Sequence, residues 1–335
     1  MVLPDVVELT QELIFLNTVN PPGNEAPAAK LTGSLLEANG FVVDYIPYGE
    51  NRLHLVAEKG CSKDSPAVVF TGHFDTVPFG AGEWSVNPLG AALIDGKIYG
   101  RGSSDMKGGI AAMTLAAIQA FESGNPLYGV RLVLTAGEET GCQGAGHLVH
   151  SYKDLGEAIG LVVGEPTSNI PAIGHKGGLY LKLTARGKTA HSSMPHLGDN
   201  AIYKAARAIL KAEEFEFNDD KDSLLGFSTL NVGRMQGGIN LNSVPDYAEF
   251  TIDARTTAKV SHRQLLHRLR KQMGEEVDIE VLVDLPAVSS PENSPFVQVV
   301  YAACGIEAGT EGFPKALPYL TDGAILQPAY EGVPT

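Results

Sequence analysis

Strand-like apolar runs alternate with helix-like segments through the first half of the chain. Val6, Leu9 and Leu13 recur at helical spacing, and the Ala- and Met-rich segment Lys107–Phe121 has the pattern of a buried helix. This alternation predicts an α/β fold with a doubly wound, mostly parallel sheet. The predicted strands are Phe41–Ile46, Leu53–Ala57, Val68–Gly72, Val130–Thr135 and Leu161–Val163.

A different order of elements is predicted from Lys176 onward. The strands there alternate apolar and polar residues, as half-exposed strands do, and two helices separate them. The resulting order, β-α-β-β-α-β, is that of a ferredoxin-like α+β domain. We therefore predict an inserted domain at 176–286 within a first domain that comprises 1–175 and 287–335. Its predicted elements are Leu179–Arg186, Asn200–Glu213, Phe227–Val232, Tyr247–Ala254, Ser261–Met273 and Val277–Val283.

The net charge and the apolar pattern of the chain indicate which classes of binding partner to expect. The 335 residues carry a formal net charge of −14, and we expect no nucleic-acid partner because phosphate binding needs basic patches. No apolar stretch approaches the length of a membrane span, and the start of the chain lacks the basic region of a signal peptide. We expect a cytoplasmic protein with no membrane contact. The three cysteines, Cys61, Cys142 and Cys304, are too scattered for a disulfide framework and are expected to be reduced.

His73 and Asp75 stand two residues apart where an apolar run ends, within the octapeptide Thr71–Pro78. Side chains two apart on a strand point to the same face, so this pair can act together. The imidazole can bind a metal ion while a nearby carboxylate fixes its ring orientation and tautomer. Taken alone, a His-x-Asp pair after a strand is more often structural than functional.

Three further acidic motifs follow strand-like runs. In an open α/β sheet the carboxyl ends of the strands line one crevice, so residues far apart in sequence can converge there. Clustered carboxylates are costly to bury unless a cation compensates their charge, and two divalent ions that share a bridging carboxylate would do so. The motifs are Gly100–Gly109 with Asp105, Ala136–Gly141 with Glu138 and Glu139, and Val163–Thr167 with Glu165.

This mixture of histidine and carboxylate ligands suits zinc, and also cobalt or manganese. Two such ions can together activate a water molecule and polarise a carbonyl group. Of the adjacent Glu138 and Glu139, one would bind metal and the other would serve as general base and then acid. As alternatives, a Glu-Glu pair is normally solvated, and the glycine-rich residues 100–109 could form a phosphate loop. Their spacing fits neither a Walker motif nor Gly-x-Gly-x-x-Gly.

The four motifs, in this order, resemble those of the co-catalytic zinc peptidases and deacylases. This family includes acetylornithine deacetylase, succinyl-diaminopimelate desuccinylase, aminoacylase and carboxypeptidase G, and the resemblance covers nearly the whole chain. It implies that His73 and Glu165 bind one metal ion and that Glu139 binds the other. Asp105 is implied to bridge the two ions, and in similar proteins its peptide bond to Met106 is cis.

The same resemblance implies roles for residues that do not bind metal. Glu138 would be the general base, and Asp75 would orient His73. His191, in Ala190–Ser193, would stabilise the tetrahedral oxyanion, often in the neighbouring subunit's site, although a histidine in a loop is usually without function.

Substrate contacts are implied in both predicted domains. Asn242, or alternatively Asn240, resembles the asparagine of an Asn-x-x-Pro loop that faces substrate. Arg255 resembles an arginine that grips a substrate carboxylate, and its alternative is a surface ion pair. Thr321 lies in a segment that resembles a substrate-side loop of the first domain.

The resemblance also implies a last metal-binding histidine near the carboxyl terminus, beyond an apolar strand. No histidine follows His267 in this sequence, and Val333–Thr335 stands where that strand is expected to begin. Within these residues the metal ion on the Glu139 side therefore lacks one expected ligand. Either a tail beyond Thr335 supplies it or the protein is truncated.

The implied function is hydrolysis of an amide bond in an N-acyl amino acid, by metal-activated water with Glu138 as the base. The implied cofactors are two divalent metal ions, with zinc favoured. The implied partners are a small N-acyl amino acid or short peptide and a second copy of the chain, bound through the inserted lid and dimerisation domain. Two alternatives remain: a di- or tripeptidase or glutamate carboxypeptidase of the same family, and a relative that binds such molecules without turnover.

Overall fold

The structure is a computed structural model, and it describes residues 3–62, 65–124, 126–307, 312–313 and 315–335. The chain divides into two compact units. The first unit comprises Met1–Ile173, Ser290–Pro314 and Thr321–Thr335, and the second comprises Gly174–Ser289 and Lys315–Leu320.

The helices and strands follow one another along the chain in this order. The first unit begins with α1 Val6–Phe15, α2 Ala26–Ala38, β1 Val42–Gly49, β2 Arg52–Lys59, β3 Ala67–His73, β4 Ala92–Ile94, β5 Lys97–Tyr99, α3 Lys107–Glu122, β6 Gly129–Thr135, α4 Gln143–Ser151 and β7 Ala158–Val163. The second unit contains β8 Gly174–His175, β9 Gly177–Arg186, α5 Ala201–Glu213, β10 Thr229–Gly237, β11 Tyr247–Thr256, α6 His262–Met273, β12 Val277–Leu285 and β13 Val288–Ser289. The first unit resumes with α7 Pro295–Ala303 and α8 Gly323–Ala329.

The main sheet of the first unit has five strands in the order β1-β2-β6-β3-β7. Strands β6, β3 and β7 pair in parallel, whereas β2 is antiparallel to both β1 and β6. Four of the five strands therefore run in one direction and β2 opposes them. The predicted mostly parallel sheet is confirmed. Because β6, β3 and β7 are parallel neighbours, their carboxyl ends lie at the same edge.

Both faces of this sheet are buried. In β6, Leu132 and Leu134 belong to the core cluster on the side of α1, α2 and α3, whereas Val133 belongs to the cluster on the side of α4 and α8. Every residue of β6 is buried, as expected for a strand that is covered on both faces. The sheet is thus doubly wound, as the sequence predicts.

The second unit has a four-stranded antiparallel sheet in the order β10-β11-β9-β12. Its chain order, β9-α5-β10-β11-α6-β12, is the predicted ferredoxin-like arrangement. The core lies between the sheet and the two helices, where Leu181 and Phe250 pack with Ala205 and Leu269. Asn200 begins α5 because its side chain accepts hydrogen bonds from the backbone of Ile202 and Tyr203.

Three short segments differ from the predicted domain limits. Residues 174–175, 287–289 and 315–320 are predicted in the first domain, but they belong to the second unit. The Leu317 backbone N–H donates to the Gly174 carbonyl at 2.8 Å, so residues 315–320 are fastened beside β8. Nothing in a local apolar pattern encodes a pairing partner so far away in the sequence. None of the helices in the described residues combines the length and the hydrophobicity of a membrane-spanning segment.

Candidate metal centre

His73 ends β3 with its ring almost fully buried, at 2% exposure. Its Nδ1 donates to the backbone carbonyl of Asp75 at 2.9 Å, which places the proton of a neutral imidazole on Nδ1. Nε2 is therefore the nitrogen left to bind a metal ion. It lies 3.0 Å from Oδ1 of Asp105 and 3.8 Å from Oε1 of Glu165.

Four loops bring the predicted ligands together. Glu165 follows β7, Glu139 follows β6, and Asp105 precedes α3 after a cis peptide bond to Met106. Side-chain ligand atoms of His73, Asp105 and Glu139 all lie within 4.8 Å of one another. His73, Glu139 and Glu165 converge because β3, β6 and β7 are parallel neighbours, as predicted for strand ends, and the segment before α3 brings Asp105 to them.

The electrostatics of this cluster demand a positive charge. Burial and the nearby carboxylates, Asp105 among them, outweigh the opposing charge of His73 and raise the pKa of Glu165 to about 7. Burial opposes a charge on His73, but hydrogen bonds to Asp105 and Asp75 outweigh it and raise the histidine's pKa. Among the described residues, no lysine or arginine side chain forms an ion pair with Asp105, Glu139 or Glu165. Imidazole and carboxylate donors without a protein cation fit divalent metal ions.

Asp75 is fully buried, and its carboxylate holds the loop that carries Glu138 and Glu139. Oδ1 accepts from the backbone N–H groups of Gly137 at 2.8 Å and Glu138 at 3.1 Å, and Oδ2 accepts from Glu139 N at 3.2 Å. Burial opposes ionisation, but hydrogen bonds and the His73 charge outweigh it and lower the pKa of Asp75 to about 2. The carboxylate is therefore ionised at neutral pH and contacts His73 from one side and this loop from the other.

Glu138 faces a second group of acidic side chains. Its Oε1 lies 3.4 Å from Sγ of Cys142, and ligand atoms of Glu138, Cys142 and Asp322 are within 4.8 Å of one another. Burial and the nearby Asp322 carboxylate raise the pKa of Glu138 well above its usual range. Burial likewise raises the pKa of Asp322. Without a cation nearby, the carboxyl group of Glu138 therefore keeps its proton to a higher pH than an ordinary glutamate does.

Sequence reasoning did not identify three residues of this region. Asn20 donates from Nδ2 to Oδ2 of Asp75 at 2.8 Å, and Cys142 and Asp322 flank Glu138. Asn20 belongs to an Asn-Pro-Pro-Gly turn that predicts only a loop. Asp322 directly follows Thr321, so the neighbouring residue was identified while the carboxylate was not.

The predicted residues of the second unit lie in paired loops. Ser192 N donates to the Asn242 carbonyl at 3.0 Å, and His191 bridges to Ser243, so the two loops are adjacent. His191 is exposed, and its Nδ1 accepts from Ser193 N at 3.3 Å. A backbone N–H can only donate, so the proton of a neutral His191 is on Nε2. Asn240 and Asn242 are exposed on the same loop.

Arg255 and Thr321 both have partners within their own units. The Arg255 Nε lies 2.8 Å from Oδ1 of Asp253, the ion pair that was the alternative interpretation of this arginine. Its guanidinium also lies 5.1 Å from the centre of the Tyr180 ring. Thr321 is buried, and its Oγ1 accepts from Gly323 N at 3.1 Å at the start of α8. Their contacts with substrate remain predictions.

Comparison with known proteins identifies the family. Residues 69–335 match peptidase family M20/M25/M40, a range that covers well over half of the chain and contains His73, Asp105 and Glu165. The chain belongs to this peptidase family. The predicted family resemblance is thereby confirmed.

Two curated relatives of this M20 chain are deacylases by name. A Staphylococcus epidermidis protein named "probable succinyl-diaminopimelate desuccinylase" is 31% identical over 88% of the chain and 79% of its own length. The acetylornithine deacetylase of Myxococcus xanthus is 32% identical over 96% of the chain and 87% of its own length.

Two solved structures establish the fold of the M20 chain. The M20 metallo-carboxypeptidase Sso-CP2 of Sulfolobus solfataricus has a TM-score of 0.78 at 18% identity, covering 99% of this chain and 90% of its own. The Bacillus subtilis YXEP protein, described as a dinuclear metal-binding peptidase of family M20, has a TM-score of 0.68 at 16% identity. It covers 98% of this chain and 86% of its own.

Proposed function

We propose that this chain is a metal-dependent hydrolase that removes the acyl group of an N-acyl amino acid. The proposal rests on the convergence of four possible metal ligands, His73, Asp105, Glu139 and Glu165. The adjacent Glu138 is not part of this cluster, so its carboxyl group is left for acid–base chemistry. The named deacylase relatives support an amide substrate.

His73 and Glu165 would hold one divalent ion, Glu139 the other, and Asp105 would bridge them. Zinc is the proposed metal, with cobalt or manganese as alternatives, because the donors are one imidazole and three carboxylates. When bound, the two ions would supply Lewis-acid activation of water and of the amide carbonyl.

Glu138 would take a proton from the attacking water and return it to the leaving amine. A general base must be ionised before it accepts a proton, so the positive charge of the two ions, when bound, would have to bring the raised pKa of Glu138 down towards the working pH. Asp75 would hold Glu138 in place through the backbone hydrogen bonds of residues 137–139.

The second unit would contribute substrate contacts. The Nε2–H of His191 would donate to the oxyanion, and Asn242 or Asn240 would contact substrate. Arg255 would exchange Asp253 for a substrate carboxylate, which its planar guanidinium can bind through two hydrogen bonds. We propose that 176–286 forms a lid and dimerisation domain, that Thr321 lies near substrate, and that the enzyme is a cytoplasmic homodimer.

A peptide is the alternative substrate. The carboxypeptidase Sso-CP2 shares this fold, as does a tripeptidase from Staphylococcus aureus with a TM-score of 0.73 at 21% identity, so a di- or tripeptidase or glutamate carboxypeptidase activity competes with deacylation. A panel of N-acetyl amino acids, N-succinyl-diaminopimelate and dipeptides separates them, with zinc, cobalt or manganese added. Hydrolysis of the acyl amino acids at the higher kcat/KM supports the proposal, whereas hydrolysis of dipeptides alone replaces it with the peptidase.

The role of Glu138 is tested by the substitution Glu138→Ala. We expect kcat to fall roughly 100- to 10,000-fold, the usual contribution of a general base, while bound metal stays at the wild-type stoichiometry. Glu122→Ala, at the exposed end of α3, is the control and should leave both quantities unchanged. Wild-type turnover in the Glu138 variant would remove the base from the mechanism. Binding of acyl amino acids without turnover by the metal-loaded wild-type protein would indicate a non-catalytic relative.

A further inference from the structure

We propose that Glu138, Cys142 and Asp322 form a third cation site, separate from the two ions at His73, which binds a thiophilic divalent ion such as zinc or cadmium. Its effect would be inhibitory. The binding site stands on its own geometry, whereas its inhibitory consequence rests on the proposed role of Glu138 as the base.

The spacing of the three donors fits a single small ion. Their ligand atoms lie within 4.8 Å of one another, and Oε1 of Glu138 is 3.4 Å from Sγ of Cys142. In a tetrahedral zinc site with Zn–S near 2.3 Å and Zn–O near 2.0–2.2 Å, neighbouring S and O ligands are about 3.5 Å apart. Little movement would therefore be needed for these two side chains to bind the same ion.

Asp322 supplies an independent indication that a ligand belongs here. Its side chain is only 2% exposed, and Oδ2 accepts from the Thr135 hydroxyl at 2.5 Å. Oδ1 is buried and makes no hydrogen bond of ordinary geometry with any described residue, although the weak thiol donor of Cys142 lies close enough to the carboxyl group to favour its ionised form. Burying a carboxylate oxygen without a partner is unfavourable, and a bound cation would compensate for the lost hydration.

The donors also determine which ion would bind. In the described residues neither Glu138 nor Asp322 forms an ion pair with a lysine or arginine, so protein cations do not neutralise them. A thiolate with two carboxylates favours zinc or cadmium over magnesium or calcium, which prefer oxygen ligands alone. Cys142 and Asp322 are buried, but Glu138 is partly exposed and leaves one side open to entry.

Occupancy of this site would remove the base from the reaction. A carboxylate that binds a cation no longer takes up a proton near neutral pH, so Glu138 could not accept one from water. The ions at His73 would be retained, because they use Asp105, Glu139 and Glu165 and not Glu138. The structure therefore gives excess zinc a route to inhibition that leaves the two catalytic ions in place.

Binding is tested by cadmium titration of the metal-loaded full chain in a Cys61→Ser/Cys304→Ser background, which leaves Cys142 as the one thiol. We expect the ultraviolet charge-transfer absorption of a cadmium–thiolate bond to saturate at one cadmium per chain. A further Cys142→Ser substitution keeps a hydroxyl that can donate to Glu138 but removes the thiolate, and should abolish the band. No band in the Cys142-containing protein, or a band that survives Cys142→Ser, overturns the site.

A second variant keeps the thiol and removes an oxygen ligand. Asp322→Asn should weaken cadmium binding at least about tenfold, the lower end of the loss expected when a metal site is perturbed. Unchanged affinity in this variant shows that Cys142 binds cadmium without Asp322, and overturns the three-residue site. This variant tests the site even if Cys142→Ser does not fold.

The inhibitory consequence has a separate readout. Zinc added beyond the two catalytic equivalents should inhibit the wild-type protein, and Cys142→Ser should require at least about tenfold more zinc for the same inhibition. A normal thiolate band without zinc inhibition would confirm the site while rejecting Glu138 as the base. Failure of the site and failure of the proposed function are thus distinguishable.

Discussion

The carboxylate of Asp75 joins segments of the chain that are distant in sequence. It accepts hydrogen bonds from the backbone of residues 137–139 and from the Asn20 side chain, while the backbone carbonyl of the same residue fixes His73. The sequence predicted that Asp75 would orient His73. It did not predict that the carboxylate would hold the loop of Glu138 and Glu139, because those contacts are made by backbone N–H groups, which carry no sequence signal.

Asn20 is predicted to stabilise this arrangement. Asn20→Ala removes a buried hydrogen bond to an ionised carboxylate, which typically contributes about 1.5–3 kcal/mol. We expect the free energy of unfolding to fall by about that amount and the affinity for metal to fall roughly tenfold, because Asp75 also supports His73 and Glu139. Denaturant titration and metal-binding calorimetry measure the two effects.

The matched control lies in the same loop. Asn24 donates from Nδ2 to the Asn17 carbonyl at 3.2 Å on the solvent side, so Asn24→Ala should change stability by less than about 0.5 kcal/mol. If both variants lower the free energy of unfolding equally, the hydrogen bond between Asn20 and Asp75 does not contribute the predicted stability.

The convergence of three of the four proposed ligands was predictable because each is a titratable residue at a strand end. His73, Glu139 and Glu165 each follow an apolar run, and local pattern alone locates such runs. Asp322 lies 187 residues from the Thr135 that it bonds, and no local pattern brings these two residues together. Long-range packing, and not local chemistry, is what sequence reasoning missed at the site.

At the scale of the elements, helix α4 packs directly against the loop that carries Glu138. A Cβ built on Gly144 would lie 1.5 Å from the Ala136 carbonyl oxygen, whereas one built on Gly146, two residues along the same helix, would meet nothing within 4 Å. Only a residue without a side chain lets α4 start directly against the loop that carries Glu138.

These two glycines should respond to alanine in opposite directions. Gly144→Ala must displace backbone and should destabilise the protein by about 1–3 kcal/mol, as overpacking usually does, with reduced kcat because the Glu138 loop moves. Gly146→Ala should stabilise it by about 0.5–1 kcal/mol, because alanine is the better helix residue. Thermal unfolding and steady-state kinetics on both variants measure this, and equal effects would contradict the assigned packing.

The predicted helix starts agree with the structure, whereas one short hairpin was not predicted. Helices α5 and α6 begin one residue after the predicted starts, Asn200 and Ser261, although of these two residues only Asn200 forms a side-chain capping hydrogen bond. The hairpin of β4 and β5 was missed although Asp95-Gly96 lies at its turn, with both residues at positive φ. Asp-Gly is a strong signal for such a turn, but strands of three residues carry too little apolar pattern to draw attention to it.

At the scale of the whole molecule, the order of elements along the chain predicts the fold class, but it does not predict the order of strands within the sheet. Alternating strands and helices predicted the α/β class, and β-α-β-β-α-β predicted the second unit. The convergence of His73, Glu138 and Glu165 depends on β6, β3 and β7 being parallel neighbours, although they are not consecutive in the chain. The general rule that ligands bind at the carboxyl ends of strands in open sheets predicted where the site would lie. Only the structure shows which strands are neighbours.

The two units should respond differently to removal of metal. All four proposed ligands lie in the first unit, and the second has its own core around Leu181 and Phe250. A ligand present at 100 times its Kd stabilises the state that binds it by about 2.7 kcal/mol, so EDTA should destabilise the first unit by about that much. In hydrogen–deuterium exchange, amides of β3, β6 and β7 should exchange faster after chelation, whereas those of β9 and β11 should not.

EDTA already saturated with zinc is the control and should change neither unit. Equal acceleration in both units would mean that they unfold as one, and no acceleration in the first would mean that metal binding and its folding are not linked.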